Sequence, residues 1–535
     1  MDENTELLPS FVVQGRLLPC DTVRKTFKTP DWKVATMVSN NWIEKSKDAY
    51  YVGAAVIGLA SAVYWYYKDD AIGAMVRVDK SVPRFKIHNP IFGGLLAMLK
   101  NVDESGNLIS DEINDPGFDK AKVLTIPFAE PTIFVNDPES VEYITSTNFD
   151  NYVKGDYTKA RMTDVLGNGI FNTDGHDWFT QRKLAAKILT NRNFKVNIET
   201  VFTDNIQIFI NVLNQAVQEG QDVDMHSLFH RYFMDSFGEI AYGIEMGSLS
   251  KGIPNYVASF DRSQSTMGDR FINPFYRLAD MLNPFLKTDV KLIREFGRKV
   301  VEDRKNGVHA GNKSDLLSLF MEQRNEDGTE LSTDELADHV INFILAGRDT
   351  TSQALSWTLY CLYENPAAKA ALVKEIDEIL GSQLIPEYDQ IKKLKYATAV
   401  FKETLRLYPS VPREGKLALN NDVLPNGVKI PKGAIVGFCP YAMGRSEKLW
   451  ENASAYKPER WLNSKQPSNY VYTAFMCGPR ICLGKNLAEL QGVFTLVSIL
   501  KNFDFEILDP LVVKQKMSLT LPMKNGLMCK ITKRK

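Results

Sequence analysis

Two cysteines lie in the stretch Phe475-Met476-Cys477-Gly478-Pro479-Arg480-Ile481-Cys482-Leu483-Gly484. Two glycines and a proline within it mark a loop. A helical pattern follows at once, with Leu483, Leu487, Leu490, Phe494, Val497 and Ile499-Leu500 at three- to four-residue steps. Cys482 therefore stands at the mouth of a helix. Unpaired backbone N–H groups and the positive dipole end there favour a thiolate, the form that binds metals, over a thiol. Gly478 and Gly484 would let the backbone approach a flat cofactor closely, and Arg480 is placed to meet a carboxylate. Taken alone, such a loop cysteine reads most simply as a buried structural thiol, so the other residues must decide.

Four further groups bear on that decision. Trp178 and Arg182 are four apart and share a helical face, where an indole N–H and a guanidinium fork together suit a carboxylate. Midway along a helix that opens at Ser332 lies Ala346-Gly347-Arg348-Asp349-Thr350-Thr351. A helical glycine costs about 1 kcal/mol, so an acid and a hydroxyl stand where that helix can loosen. Such a pair suggests a proton path beside a reactive centre. Glu403 and Arg406, three apart near a helix end closed by Pro409, can pair on one face. Arg460, within Tyr456-Lys457-Pro458-Glu459-Arg460-Trp461, could join them in a buried bidentate network.

The elements that must position these groups are mostly helical. Ser332 and Glu335 form a capping box, and Pro366 ends the long helix near Asn365. Val123 to Val135 reads as strand, turn, strand around Pro127 and Pro131. Upstream, Ala49 to Tyr67 runs 19 residues without a charge, with Tyr and Trp at its ends. At about 1.5 Å per residue it approaches the roughly 30 Å hydrocarbon thickness, and it reads as a transmembrane helix. A tail over 1–48 precedes it, a proline-bearing connector over 68–94 follows as a stiff spacer, and 95–535 forms one catalytic body. Basic residues bias the C-terminal side toward the cytosol.

The chain has 535 residues, 64 Lys+Arg against 65 Asp+Glu and a net charge of -1, which argues against a nucleic-acid partner driven by bulk charge. Six irregularly spaced cysteines offer neither a zinc pattern nor a disulfide frame. His226 and His230, four apart without a third nearby ligand, read as ordinary helix residues.

The ordered set Trp178/Arg182, A-G-R-D-T-T, E-T-L-R, P-E-R-W and F-M-C-G-P-R-I-C-L-G resembles the cytochrome P-450 superfamily of haem-thiolate monooxygenases, over about residues 80 to 535. The resemblance implies a mainly α fold, a helical triangular prism with a small β-rich lobe, here behind one N-terminal transmembrane helix. It implies haem b as cofactor, with Cys482 as axial ligand of the iron. Phe475, Arg480, Arg182, Trp178 and Lys416 would contact the haem, the basic residues and Trp178 at its propionates. Thr350 and Asp349 would be the alcohol–acid pair that delivers protons during dioxygen activation. Glu403, Arg406 and Arg460 would form a structural network behind the haem, and Cys477 would pack rather than ligate.

A finer resemblance is to the branch that oxidises fatty acids and alkanes at the terminal carbon. It rests on Asn148-Phe149-Asp150-Asn151-Tyr152, Gly169-Ile170-Phe171 with Asp174-Gly175, Asp422-Val423-Leu424-Pro425-Asn426-Gly427, Tyr441-Ala442-Met443-Gly444-Arg445 and Leu519-Thr520-Leu521-Pro522-Met523-Lys524-Asn525-Gly526. It implies ω-hydroxylation of a fatty acid. The chain carries no flavin- or nicotinamide-binding fingerprint, so the expected electron source is NADPH through a separate flavoprotein reductase of the endoplasmic reticulum, docking near Cys482 with Lys485 as a candidate contact. A monooxygenase for another lipid such as a sterol, and a non-catalytic haem carrier or sensor, are the alternatives. Arg161, Arg270 and Arg277 are the candidates for holding a substrate carboxylate.

Overall fold

The computed structural model describes residues 56–534 apart from 65, 119, 190–191, 253–254, 309–314, 325–327 and 463–464. It divides into Met1–Tyr66 and Tyr67–Lys535. The tail over 1–48 lies outside the described residues, as does the first part of the span expected at 49–67. In the first unit residues 56–64 and 66 are helical, and Val56, Ile57, Leu59 and Tyr66 are exposed. Among the described residues no helix is long and apolar enough to cross a membrane.

The second unit is mostly helical. Residues 68–94 contain turns and isolated bridges, but they do not stand off as a spacer. Phe85 donates its N–H to Val123, and Val78, Val82 and Phe85 are buried. The expected strand–turn–strand is present: Lys122–Leu124 pairs antiparallel with Thr132–Phe134. Thr132–Phe134 then runs parallel to Ile435–Phe438, which pairs antiparallel with Glu414–Ala418, and that strand takes Tyr152–Val153 on its far edge. This five-stranded sheet brings Glu414 and Lys416, far along the chain, beside the segment that leads into Lys154.

Helix Lys485–Asn502 has every residue from Gln491 to Leu500 buried, apolar pattern and small polar residues alike, so it threads the core instead of lying on it. The helix that opens at Ser332 is capped as expected: Ser332 Oγ accepts from Glu335 N at 3.2 Å and Glu335 Oε2 accepts from Ser332 N at 2.8 Å. It runs Thr333–Ile344, widens into a single π turn over Leu345–Asp349, and resumes as Thr350–Glu364. Gly347 sits in that turn. A Cβ there would lie 2.1 Å from the Phe237 ring, so only glycine lets the crossing helix Met225–Tyr242 close on it. The loosening is thus a π bulge, a device common at functional sites.

Candidate active site

A cavity of about 490 Å³ lies inside the second unit, between the Cys482 loop and the π turn. Its volume falls in the range of small-molecule sites. Cys482 is solvent-accessible and lines it, whereas Cys361, Cys439, Cys477 and Cys529 are buried. The loop is held by Cys482 N donating to Phe475 O at 2.8 Å. Here the structure corrects the helix-mouth argument. The helix starts at Lys485 with Gly484 as its N-cap, and burial pushes the Cys482 thiol up, against the pull of the Gly484 backbone, Arg182 and Lys485. The protein matrix alone therefore favours the thiol, and a bound cation opposite would be needed to hold the thiolate.

Gly478 is also explained differently. Its φ is 63°, and a Cβ would lie 2.1 Å from Thr145 O, so it permits close packing on the turn Tyr143–Thr147 and not an approach to a cofactor. Cys477 belongs to the same packing: it is 2% exposed and its Sγ donates to Thr145 Oγ1 at 3.4 Å.

One wall of the cavity gathers positive charge. Arg480 lies over the Trp178 ring at 4.3 Å, and Arg182 lies over it at 5.8 Å. Arg182 Nη2 donates to Ile481 O at 2.6 Å, which ties the Gly175–Leu189 helix to the cysteine loop. Arg480 Nη2 donates to Thr173 O and Asp174 Oδ1 at 2.9 and 2.8 Å, but its Nε is buried with no protein partner. Lys416 is buried and donates to Glu414 Oε1 at 2.6 Å; Lys154 reaches the same oxygen at 2.8 Å. Burial lowers the Lys416 ammonium to about 8, with Glu414 opposing and Lys154 and Arg480 adding to the fall. Burial would raise Glu414, yet the two lysines hold it down at about 2. Four cations on one wall, Arg182, Arg480, Lys416 and Lys154, outnumber the two acids that face them, Asp174 and Glu414, and the orphaned Arg480 Nε is a donor awaiting an anion. An accessible thiol, apolar lining by Phe475 and Leu483, and spare cations fit an apolar, dianionic group that carries a metal.

The expected acid–alcohol pair is split by the π turn. Thr350 lines the cavity, its Oγ1 donating back to Ala346 O at 2.7 Å. Asp349 faces the opposite way: Gln264 Nε2 donates to its Oδ2 at 2.6 Å, and Arg348 Nη1 lies 3.1 Å from Oδ1. His230 Nε2 stands 3.7 Å from the same oxygen, too far for a hydrogen bond. The His230 Nδ1 contacts His226 O at 2.9 Å, and a carbonyl only accepts, so Nδ1 carries the proton and Nε2 is bare. Burial pushes both histidines down to about 3, so both are neutral. Of the two, read from the sequence as ordinary helix residues, His230 stands beside Asp349 while His226 Nδ1 meets Ser356 Oγ at 2.9 Å, and among the described residues no third ligand joins them.

Burial raises the Asp349 carboxyl to about 6, despite Arg348. Its folded-state value lies above the ordinary 3.8. Ionisation is therefore disfavoured in the folded chain, and stability is lost as pH rises from about 4 through about 6. Asp349→Asn is expected to stabilise the protein by about 1–3 kcal/mol near pH 8, with the gain shrinking as pH falls toward 4. Guanidinium denaturation across that range measures it.

Behind the cysteine loop, Glu403 and Arg406 are both fully buried. Arg406 Nε and Nη2 grip the two Glu403 oxygens at 2.9 and 2.8 Å, and Arg460 Nε adds a contact at 3.0 Å. All five Arg406 N–H groups are used, the rest on the carbonyls of Gly444, Ala453 and Ala455. Trp461 Nε1 donates to Glu403 Oε2 at 2.9 Å, and its ring stacks edge-on to Tyr472 at 4.8 Å. Tyr472 in turn meets Phe475 at 6.5 Å. A continuous set of contacts thus joins the ion network to the residue whose carbonyl holds Cys482 N.

Sequence reasoning singled out none of Asp174, Glu414, Trp461 or Tyr472 for these roles. Asp174 does most: it accepts from Lys154 N and Gly155 N at 2.9 Å each as well as from Arg480. Its position just before the helix at Gly175 was the available signal. Lys485, the expected partner contact, lies 5.7 Å from the Phe475 ring.

Comparison with known proteins agrees with this geometry. The family described as "Cytochrome P-450" matches residues 123–530. Cytochrome P-450 704B1 of Arabidopsis thaliana is 33% identical over 83% of this chain and 94% of its own length. Cytochrome P-450 monooxygenase cyp1 of Mycosarcoma maydis is 32% identical over 89% of this chain and 79% of its own. The crystal structure of the cytochrome P-450DA haem domain superimposes with a TM-score of 0.74, covering 85% of this chain and 98% of that one at 23% identity, which is a likeness of fold. With its matched span, its relatives and its cysteine-lined cavity taken together, this chain belongs to the cytochrome P-450 family of monooxygenases.

Proposed function

We propose that the chain is a membrane-anchored monooxygenase that hydroxylates a long fatty acid at its ω end. The haem supplies activation of dioxygen and insertion of one oxygen atom into a C–H bond. Cys482 would ligate its iron. Arg480, Arg182, Trp178 and Lys416 would hold its propionates, and Phe475 would pack on its face. Thr350, at the cavity side of the π turn, would orient a proton donor toward the reacting oxygen, with Asp349 behind it as the proton reservoir. Glu403, Arg406 and Arg460 would fix the frame on which the Cys482 loop rests.

The observation that carries the lipid reading is the lining beyond the cations. Met98, Ile109, Ile126, Phe134, Ile170 and Leu519 make it an apolar trough suited to a hydrocarbon chain. Two phrases of the ω-hydroxylase branch reach it, through Ile170-Phe171 and Leu519-Thr520.

Membrane attachment draws support from the body itself. Phe275, Leu278, Met281, Leu282 and Phe285 are exposed, Met281 at 78%. Phe128 meets Phe275 at 5.8 Å, and the neighbouring Leu95, Ile126 and Ala129 cluster leads to the exposed Leu96 and Leu99. An apolar surface of this extent belongs against lipid or a partner, and the uncharged stretch at 49–67 favours lipid; the endoplasmic reticulum, with the body cytosolic, is the placement that the reductase partner implies. Electrons would come from NADPH through a separate flavoprotein reductase. The test is turnover of the purified chain with reductase, NADPH and fatty acids such as lauric or oleic acid, read as substrate-dependent NADPH consumption and oxygenated product.

A further inference from the structure

Among the described residues two arginines of the cavity, Arg182 and Arg413, have no acid within ion-pair distance, and Arg182 is already engaged with Ile481 O of the cysteine loop. Arg413 lines the cavity just before the strand Glu414–Ala418. Its Nη2 donates to Met517 Sδ at 2.9 Å and its Nη1 to Ser105 Oγ at 3.4 Å. A thioether and a distant neutral hydroxyl are weak acceptors for a guanidinium. Burial draws its pKa below the ordinary arginine value, with only Cys439 and Tyr157 opposing. The adjacent Glu414 is held by Lys154 and Lys416. Among the described residues no carboxylate lies within ion-pair distance of Arg413, the cavity-lining Glu130 included.

The arginines that the sequence offered for this purpose are otherwise engaged. Arg270 is tied to Asp164 and Asp280 at 2.6 and 3.0 Å. Arg277 is exposed beside the Tyr276 hydroxyl. Arg161 gives Nε and Nη1 to the carbonyls of Arg270 and Tyr157 and lies 3.6 Å from the Tyr157 ring centre.

Arg413 is partly exposed, toward the cavity it lines, and a charge drawn even partly from water without a counter-ion is costly to the folded state. An arginine kept so, on the wall of a mostly apolar cavity, is a preformed receptor for a planar anion, and a carboxylate matches its fork. We propose that Arg413 binds the carboxylate of the lipid substrate and fixes the direction in which the chain enters, leaving the far end to reach the Cys482 side. The assignment rests on the fatty-acid reading above and names the residue that would make the substrate an acid and not an alkane.

The test titrates the haem-loaded full-length protein with hexadecanoic acid, methyl hexadecanoate and hexadecane, following the substrate-induced change in the Soret band. Wild type, Arg413→Leu and Arg413→Lys are compared, with haem content read from the reduced carbon monoxide spectrum. Wild type is expected to prefer the acid to its ester. Arg413→Leu should weaken the acid by about 10- to 100-fold, leave ester and alkane within about twofold, and keep its haem. Arg413→Lys should fall between. Equal wild-type affinity for acid and ester overturns the assignment, as does unchanged acid affinity in Arg413→Leu. Loss of haem in both variants also overturns it, since Arg413 would then serve the cofactor or the fold. Ester and alkane binding to wild type without Arg413 dependence of the acid leaves the lipid reading standing. If none of the three ligands perturbs wild type, the lipid reading falls as well.

Discussion

Cys482→Ala is expected to abolish the strongly red-shifted carbon monoxide band of the reduced protein and to bring product formation down to background, while Cys477→Ala keeps both. The two thiols stand five positions apart in one loop, yet they are in different surroundings. Cys482 is accessible and fronts the cavity, where burial pushes its thiol up against the smaller pull of the Gly484 backbone and Arg182, so a bound metal cation would be what holds the thiolate. Cys477 is buried, bonded to Thr145 Oγ1 and pushed up by burial to about 11. Removing its sulfur should cost packing of about 1–2 kcal/mol and no chemistry. A thiolate is what donates the electron density that shifts the band and favours O–O cleavage, so the spectrum reads the ligand directly. The reverse pattern would mean that the loop presents the other cysteine.

Glu403→Ala is the second large effect, and it acts on stability. Removing this fully buried carboxylate leaves Arg406, also fully buried, without its counter-charge and takes one ion-pair partner from the mostly buried Arg460. Breaking a buried pair in this way costs about 3–5 kcal/mol. The loss would spread along Trp461, Tyr472 and Phe475 to the cysteine loop. The expected result is a lower denaturation midpoint together with a smaller ratio of carbon monoxide absorbance to total protein. Arg460→Ala should cost less, because the Glu403–Arg406 pair survives it. Equal stability of Glu403→Ala and wild type would remove the network from the account.

What the sequence revealed follows from what is local. The capping box at Ser332 and Glu335, the loosened turn at Gly347 and the Glu403–Arg406 pairing are all encoded within four residues, and each is found in place. The antiparallel pair around Pro127 and Pro131 is equally local. The counter-charges are not. Asp174 and Glu414 reach Arg480 and Lys154 across separations of 306 and 260 residues, and no periodicity announces them. The direction of Asp349 was hidden for a related reason. Asp349 closes the π turn and Thr350 opens the helix that follows it, so Thr350 meets the cavity while Asp349 meets Gln264 on another helix. The Cys482 thiol shows local logic overruled, because burial outweighs the helix end. Arg413 was illegible altogether: its interest lies in the partner it lacks, and only the folded chain displays that.

The most direct test of the whole account is product analysis with isotopically labelled dioxygen. Purified full-length protein, reductase and NADPH would be incubated with saturated fatty acids of several lengths under ¹⁸O₂, and the products examined by mass spectrometry. The account predicts hydroxy acids carrying one labelled oxygen at the terminal carbon, formed by wild type and absent with Cys482→Ala. Label-free products, or no oxygenated product from any lipid of the panel, would contradict it.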